Sequence, residues 1–488
     1  MYHGEDISEK VKVDSHFIGI LVHFRNYLSA NIAQKVIGLI SLPVMTRLLS
    51  PAEYGAVNVF TSYIGILVVI LSLNSYTSIG RYWYERKNDF NLFMGSSFCL
   101  VAGTLFFSFL LFVMFRKPLS NILSMSETLV ILLLPLIAIN IVNSVFRQVY
   151  EPQRKSGLIG KLNVVEGCLG FTGSVAFVLM MKGDRYYGVI WGQLVAGVVV
   201  SVVMIKLLMP HFKLAFYPKH VHYILGYSAP LIPDALSAVI LAQFDRVMIN
   251  GYIGSNAAGL YSLAYNIGML LLLVNAALLT AWTPYYFEDM DHKKYDKLDS
   301  DIDKIFRLIL IGAMFLMVFG QEVGLILADK KYHVALSIIP IVVFGHIFHA
   351  LFQLWGRNIG YARKTIWAPI ISLIAGFTNI VLNAIFIPMY GYAAAAYTTV
   401  VSYMLMAFMG WGVSKYIVRL YTTPLQIIMK PLGILVILYS SLIAIELAGL
   451  GLWMMMAVKL LLFCIFSATM IWRYVPGIFE IIRITHSK

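Results

Sequence analysis

The sequence predicts an all-α polytopic membrane protein with about 14 transmembrane helices, and three observations support this fold class. Apolar residues make up 60% of the 488 residues and charged residues only 12%, whereas soluble domains are about 45–50% apolar and about 25% charged. The mean hydropathy is +0.80. The apolar residues also form long runs, and a bilayer-spanning helix needs about 20 of them. These observations exclude a water-soluble enzyme, a disordered chain and a fibrous protein.

The apolar runs give the helices in order. Fourteen runs are separated by short polar segments, at 24–48, 55–80, 92–115, 128–150, 158–181, 187–209, 222–250, 256–284, 305–328, 335–357, 366–388, 392–415, 431–449 and 452–472. Only Gly449 to Gly451 separate the last two runs. Because Pro431 opens the thirteenth run and a Gly pair closes it, we expect two helices there rather than one long helix.

The distribution of positive charge predicts the orientation. Of the 37 Lys and Arg residues, 27 lie at the two ends and in the even-numbered loops, 7 lie in the odd-numbered loops, and 3 lie inside helices. Cytoplasmic loops carry the excess of Lys and Arg, so both termini are predicted to be cytoplasmic. The net charge of +13 follows mostly from this bias and requires no nucleic-acid partner. The polar first 16 residues contain no cleavable signal, so the first helix is expected to direct membrane insertion.

An internal repeat relates the two halves of the helical region at a spacing of about 205 residues. The segment that ends at Gly55 (LSPAEYG) matches the one that ends at Gly259 (IGSNAAG), and Gly-Phe-Thr at 170–172 recurs at 376–378. Tyr-Gly and Arg-Lys pairs recur in the same order. We therefore predict a first lobe at 1–215, a second lobe at 216–420 and two appended helices with a tail at 421–488. Six helices per lobe give both lobes the same orientation, an arrangement common in transporters.

The segment from Ile32 to Gly55, which contains Arg-Leu-Leu-Ser-Pro-Ala-Glu-Tyr-Gly, resembles the first two helices of polysaccharide flippases of the Wzx type. Its second-lobe counterpart includes Asp245-Arg246 and Gly259-Leu-Tyr. The resemblance covers nearly the whole chain and extends to the superfamily of multidrug, oligosaccharidyl-lipid and polysaccharide exporters. It implies two MATE-like six-helix lobes, alternating access, and flipping of oligosaccharide repeat units linked to undecaprenyl diphosphate in a bacterial inner membrane. It also makes a polysaccharide polymerase a possible partner.

Polar residues inside apolar helices are the candidates for substrate binding, because they are costly in lipid and usually face a cavity or a partner. Asn31, Gln34 and Lys35 share one face of the first helix, and Lys35 is predicted to meet an anionic substrate. Arg246 on the seventh helix either reaches the cavity or fastens helices together. Arg147 continues a polar stripe with Asn140 and Asn143 and is a further candidate, although an interfacial anchor is the simpler interpretation.

Asp234 is the strongest candidate for ion coupling. It follows Pro230 and Pro233, which break the helix and free carbonyl groups beside a carboxylate. The resemblance implies a sodium site in the lipid-linked cell-wall precursor flippases that combines an acid on helix 7 with two polar residues on helix 11 and a Thr on helix 12. Asp234, Asn379, Asn383 and Thr399 match that order. The second helix-11 position is usually acidic there, so Asn383 weakens the prediction of Na⁺ and leaves H⁺ open.

Several interpretations stay open at this stage. His346 and His349 are either a proton relay or a substrate contact, or they are hydrogen-bonded within the helix bundle. Asp245 is either functional or structural. Lys459 is predicted to pair with Glu446, and the three cysteines to be packing residues. A drug or organic-cation antiporter of the same fold is the main alternative function, and a membrane-embedded glycosyltransferase or polymerase is a weaker one. No catalytic, nucleotide-binding or metal-binding motif is visible, so we expect no enzyme activity and no cofactor beyond a coupling ion.

Overall fold

The computed structural model describes residues 37–449 and 451–472, and every regular element in these residues is helical. Thirteen of its helical segments are long and apolar enough to cross a membrane. A shorter apolar helix, α1, is described over Ile37–Leu48 and covers the end of the first predicted run. The predicted all-α membrane fold of about 14 helices is thereby confirmed.

The first part of the chain contributes α1 to α8. After α1 the helices are α2 Pro51–Leu71, α3 Tyr76–Glu85, α4 Phe90–Met114, α5 Arg116–Leu123, α6 Glu127–Tyr150, α7 Ser156–Met180 and α8 Tyr186–Leu208. The start of α2 is set by its own sequence: Ser50 accepts a hydrogen bond from the Glu53 amide while Glu53 caps Ser50 in return, and Pro51 occupies the first turn. This capping box satisfies amides that a helix start leaves unpaired.

The second part contributes α9 to α19. These helices are α9 Pro218–Ser228, α10 Ile232–Val239, α11 Asp245–Tyr252, α12 Ser255–Gly268, α13 Leu270–Asp291, α14 Tyr295–Leu327, α15 Ile339–Tyr361, α16 Trp367–Tyr390, α17 Ala394–Gly412, α18 Leu425–Leu447 and α19 Leu452–Ile471. As predicted, α18 and α19 are separate helices, and Gly449 between them has a positive φ of 70°. The division into lobes at 215 and 420 stays a prediction.

The α9–α11 segment is the predicted seventh helix, and it is interrupted twice. Ala229–Leu231 forms a 3₁₀ turn where Pro230 and Pro233 cannot donate backbone hydrogen bonds, as expected from the sequence. Ile240–Phe244 then forms a π-helical turn immediately before Asp245. Such turns are frequent at functional sites. The second interruption has no proline and was not predicted.

The first third of this segment packs against α3 and α4. His220 on α9 contacts Asp89 at 3.3 Å and the Ser96 hydroxyl at 3.1 Å, and the Tyr223 hydroxyl donates to Glu85 at 2.8 Å. Burial raises the pKa of Asp89, but hydrogen bonds from Tyr82 and His220 outweigh it and hold the pKa below its usual value. The 3₁₀ turn thus follows a stretch fixed to the first part of the chain.

The two repeat motifs meet each other where α2 crosses α12. Gly55 of α2 lies against Gly259 of α12: a Cβ at Gly55 would lie 1.9 Å from the carbonyl oxygen of Ser255, and one at Gly259 would lie 1.8 Å from that of Pro51. Real Cβ atoms do not approach backbone so closely, so only glycine allows this contact. The starts of α2 and α12, which carry the two matching motifs, therefore contact each other directly through backbone.

Lys459 of α19 is the buried cation of an ion-pair triad that fastens the appended helices. Its ammonium lies 2.7 Å from Glu322 of α14 and 3.1 Å from Glu446 of α18. The predicted pair with Glu446 is present, and Glu322 was not anticipated. The Lys459 side chain is 6% exposed, so the pair sits in a partly desolvated setting where losing one partner is costly.

We expect Lys459→Met to lower the free energy of unfolding by about 1–3 kcal/mol, since it leaves two neighbouring carboxylates without their cation. The effect falls short of that for a fully buried pair because Glu446 is 38% exposed. Thermal unfolding of the detergent-purified protein measures it. Lys459→Arg keeps the charge and is the matched control. Equal unfolding temperatures for Lys459→Met and the wild type would contradict a stabilising role for the triad.

Candidate functional site

A buried group of polar side chains lies among α11, α12, α16 and α17, and we call it the C-terminal cluster. It consists of Asp245, Tyr261, Asn379, Asn383, Thr398 and Thr399. Each of these helices places its polar residues on the inward face: Asn379 and Asn383 are one turn apart on α16, and the two threonines are adjacent near the start of α17. Asp245 is 2% exposed, and Asn379 and Asn383 are fully buried.

The Asp245 carboxylate is the centre of the cluster. It accepts hydrogen bonds from the Tyr261 hydroxyl at 2.6 Å, the Asn383 amide at 2.7 Å and the Thr399 hydroxyl at 2.9 Å. Asn379 donates to Thr399 at 3.3 Å and accepts from Asn383 at 3.0 Å. Four helices therefore converge on one carboxylate, so its charge state acts on the packing of all of them.

Each of the three groups that donate to Asp245 is neutral. The neighbouring guanidinium of Arg246 donates instead to the carbonyl oxygen of Ala242 at 3.0 Å and to the Asn266 amide oxygen at 3.2 Å. A buried carboxylate whose hydrogen-bond donors are all neutral is costly unless a positive charge or a proton neutralises it. The adjacent buried guanidinium of Arg246 compensates part of that charge through space, and a bound cation or a proton would compensate the rest. Carboxylate, amide and hydroxyl oxygens form the ligand set that hard cations prefer. The residues present therefore fit a monovalent cation or a proton.

The structure brings together three of the four residues predicted for ion coupling, but around Asp245 and not around Asp234. Asp234 lies in the first turn of α10 and is half-buried. Eleven residues separate it from Asp245, which is about 16 Å along a helix at 1.5 Å per residue. The structure therefore groups Asn383 and Thr399 with Asp245 rather than with Asp234, because the register of the interrupted helix presents the later acid to α16 and α17. The coupling role predicted for Asp234 stays a prediction.

Arg246 is buried at 5% exposure and connects the cluster to the first part of the chain. Its guanidinium carbon lies 4.8 Å from the centre of the Tyr265 ring, in cation–π contact. The Asn266 amide that accepts from Arg246 donates in turn to the Tyr54 hydroxyl of α2 at 3.0 Å. Of the two interpretations of Arg246, this geometry matches the one in which it fastens helices.

Of the other predicted substrate-binding residues, only Arg147 is among those that the structure describes, and it lies away from the cluster. Arg147 is 55% exposed at the end of α6 and pairs with Glu151 at 3.1 Å. Asn31, Gln34 and Lys35 lie outside the described residues. Their predicted roles stay predictions.

His346 and His349 lie on α15 beside the C-terminal cluster. His346 is 1% exposed, and neither of its ring nitrogens has a hydrogen-bond partner among the described residues. Its ring centre lies 5.6 Å from that of Tyr265 and 5.9 Å from that of Tyr403, while the His349 ring lies 5.1 Å from Tyr403. Aromatic packing accounts for the position of both rings, but not for the unpaired nitrogens.

These features define a class: a multi-pass α-helical membrane protein of the fold shared by lipid flippases and multidrug exporters. The fold matches "Lipid II flippase MurJ, inward closed conformation" with a TM-score of 0.72 at 14% identity, over 92% of this chain and 99% of that one. It also matches an inward-facing "multidrug resistance MATE family transporter of the MOP superfamily" with a TM-score of 0.62 at 16% identity, over 79% and 94%.

The chain belongs to the family of polysaccharide biosynthesis proteins, whose model matches residues 24–290. Among relatives, "Lsg locus putative protein 1" of Haemophilus influenzae is 23% identical over 72% of this chain and 90% of its own length. "Probable low-salt glycan biosynthesis flippase Agl15" of Haloferax volcanii is 21% identical over 52% of this chain and 54% of its own length. The resemblance to polysaccharide flippases of this superfamily is thereby confirmed.

Proposed function

We propose that this protein is a non-enzymatic flippase that moves lipid-linked oligosaccharide across the membrane by alternating access. The observation that carries the proposal is the combination of family and fold: a polysaccharide biosynthesis protein with the fold of a lipid flippase. The direct contact of Gly55 with Gly259 supports alternating access, since it closes equivalent ends of the two halves. The name of the Haloferax relative supports a glycan as the cargo.

We propose oligosaccharide repeat units linked to undecaprenyl diphosphate as the substrate, destined for O-antigen, capsule or exopolysaccharide. A diphosphate requires cationic groups, and Lys35 is the first candidate, with Arg246, Asn31, Gln34 and Arg147 as further ones. Of these, Arg246 already has partners inside the protein, so its contribution would require the two halves to separate. A polysaccharide polymerase is a fitting partner for the product.

We propose that binding of Na⁺ or H⁺ to the C-terminal cluster drives the transport cycle. Asp245 is the proposed coupling acid, and Asp234 is the alternative. Neutralising a buried carboxylate removes several kcal/mol of unfavourable energy. That energy can shift the balance between inward-open and outward-open packing. The excess of Lys and Arg in even-numbered loops supports a bacterial inner-membrane orientation with both termini in the cytoplasm.

Reconstituted protein tests the proposal directly. Proteoliposomes are prepared with lipid-linked oligosaccharide extracted from the source cells, and membrane-impermeant periodate oxidises only the glycan in the outer leaflet. A flippase raises the oxidised fraction from about half towards completion, and protein-free liposomes are the control. Accumulation of ethidium without any gain in glycan oxidation would favour the drug antiporter instead.

In the same assay we expect Lys35→Ala to lower the flipping rate at least about tenfold, as expected when a charge-assisted hydrogen bond to the substrate is lost. Lys35→Arg should keep part of the rate, because it keeps the charge but changes its geometry. Normal flipping by the Ala variant would return Lys35 to the role of an interfacial anchor.

A further inference from the structure

The first part of the chain encloses a second polar site that the mechanism above does not use. A cavity of about 490 Å³ lies among α1, α2, α6, α7 and α8, and we call it the N-terminal cavity. Its polar lining is contributed mainly by Asn58, Asn140, Asn143, Asn163, Glu166 and Gln193. In the C-terminal cluster, by contrast, the polar side chains hydrogen-bond to one another.

The volume and chemistry of the N-terminal cavity match an organic ligand better than an ion. Binding pockets for organic ligands span about 300–1,000 Å³, whereas a bound cation needs oxygen atoms converging at about 2.3–2.6 Å. Glu166 is the only ionisable carboxyl among the described lining residues, and it accepts from Asn143 at 3.1 Å. The amide oxygen of Asn163 is buried and has no hydrogen-bond partner among the residues that the structure describes. A ligand that donates hydrogen bonds would satisfy it.

The charge of the lining indicates which part of a lipid-linked glycan fits. No Lys or Arg is among the described residues that line the cavity, so a diphosphate would find no counter-charge there. Side-chain amides and a carboxylate both match hydroxyl groups, which donate and accept. Apolar walls such as Phe171 and Val57 cover the remaining surface, as is usual in sites that fix a ligand with a few polar groups.

We propose that the N-terminal cavity is the subsite for the uncharged, hydroxyl-rich sugars of the substrate, with Asn163 and Glu166 as hydrogen-bonding residues. The inference rests on the proposed function and adds to it that the glycan and the diphosphate of the substrate are bound at different sites. The glycan enters this cavity, whose described lining offers a diphosphate no cation. Because Glu166 is an acid and no Lys or Arg is among the described lining residues, this part of the subsite disfavours acidic sugars.

Binding to the full-length protein in detergent tests this subsite. Two probes are compared by the concentration that gives half-maximal thermal stabilisation: undecaprenyl diphosphate without sugar, and the lipid-linked oligosaccharide fraction extracted from the source cells. We expect the wild type to bind the glycosylated probe at least about tenfold more tightly than the bare one, as several sugar hydrogen bonds would give.

We expect Asn163→Leu and Glu166→Gln each to reduce that preference about 3–10-fold without changing the affinity for bare undecaprenyl diphosphate. Thr172→Val on the same helix is the matched control, because the Thr172 side chain is outside the lining and bonds only to its own helix. A variant that fails to fold shows no melting transition. In that case Gln193→Met, which keeps the length of the side chain, is used instead.

Four results would overturn the inference. Equal binding of both probes by the wild type would show that no glycan subsite exists. An unchanged preference in the Asn163 and Glu166 variants would place the glycan elsewhere while leaving the proposed function intact, and an altered sodium or proton dependence in Glu166→Gln alone would make the cavity an ion site. Failure of the wild type to bind either probe would overturn the proposed function as well.

Discussion

Asp245→Asn is expected to abolish the response of flipping to an imposed sodium or proton gradient. The carboxylate is the only charged group that accepts hydrogen bonds from Tyr261, Asn383 and Thr399 together, and the Asn variant has no charge for an ion to neutralise. Shifting the equilibrium between two conformations from 1:99 to 99:1 takes about 5.5 kcal/mol. A buried carboxylate that binds and releases a cation can supply several kcal/mol of this free energy. Removing the carboxylate should therefore also lower the flipping rate at least about tenfold.

The measurement is flipping in proteoliposomes with imposed Na⁺ or H⁺ gradients, and Asp234→Asn is the matched control. Asp234 is also an acid of the interrupted helix, but it lies about 16 Å away along the axis and only half-buried. We expect it to keep the gradient response. If Asp234→Asn loses the gradient response and Asp245→Asn retains it, the coupling acid is Asp234, as the sequence alone predicted.

Position along the helices explains why Asp245, and not Asp234, meets this cluster. Asn383 lies seven residues before the end of α16, and Asp245 lies seven residues before the end of α11. Thr399 lies five residues after the start of α17, whose direction is opposite. All three are therefore at one level, whereas Asp234 is about three turns away. The prolines drew attention to Asp234, but depth decides which side chains can meet.

Other features followed from the sequence because they depend on local chemistry. The apolar runs predicted the helices, and the Gly449–Gly451 break separated α18 from α19. The π-helical turn before Asp245 could not be predicted, since no proline or glycine marks Ile240–Phe244. The N-terminal cavity was also hidden. Asn140 and Asn143 were recognised as part of a polar stripe, but only packing shows that they and Glu166 surround one space.

The contact between Gly55 and Gly259 makes a second large effect predictable. In the described conformation a Cβ at Gly259 would lie 1.8 Å from the carbonyl oxygen of Pro51 and 2.9 Å from the amide nitrogen of Gly55. Backbone atoms of two packed helices cannot give way as a flexible side chain would, so Gly259→Ala must push α2 and α12 apart. Overpacking of this kind costs about 1–3 kcal/mol. This cost lowers the equilibrium population of the closed conformation, relative to the other conformations, about 5–150-fold.

We expect Gly259→Ala and Gly55→Ala each to lower flipping about tenfold or more while the protein remains folded, because the cycle needs this end to close. Opening is measured with Ser262→Cys in a background without Cys99, Cys168 and Cys464. Ser262 is fully buried one turn from Gly259 on the same face of α12, so a polar maleimide should label Cys at this position faster in the Ala variants.

Gly103→Ala on α4 is the control, since a Cβ there meets no atom within 4 Å. Alanine is favoured over glycine inside a helix by about 0.5–1 kcal/mol, so this variant should flip normally and unfold at the same or a higher temperature. Normal flipping and slow labelling in Gly259→Ala would mean that α2 and α12 separate at little cost. The contact between the repeat motifs would then contribute only to helix packing. Closure of this end would have to depend on other contacts, such as the hydrogen bond from the Tyr332 hydroxyl to the carbonyl oxygen of Leu49 at 3.1 Å.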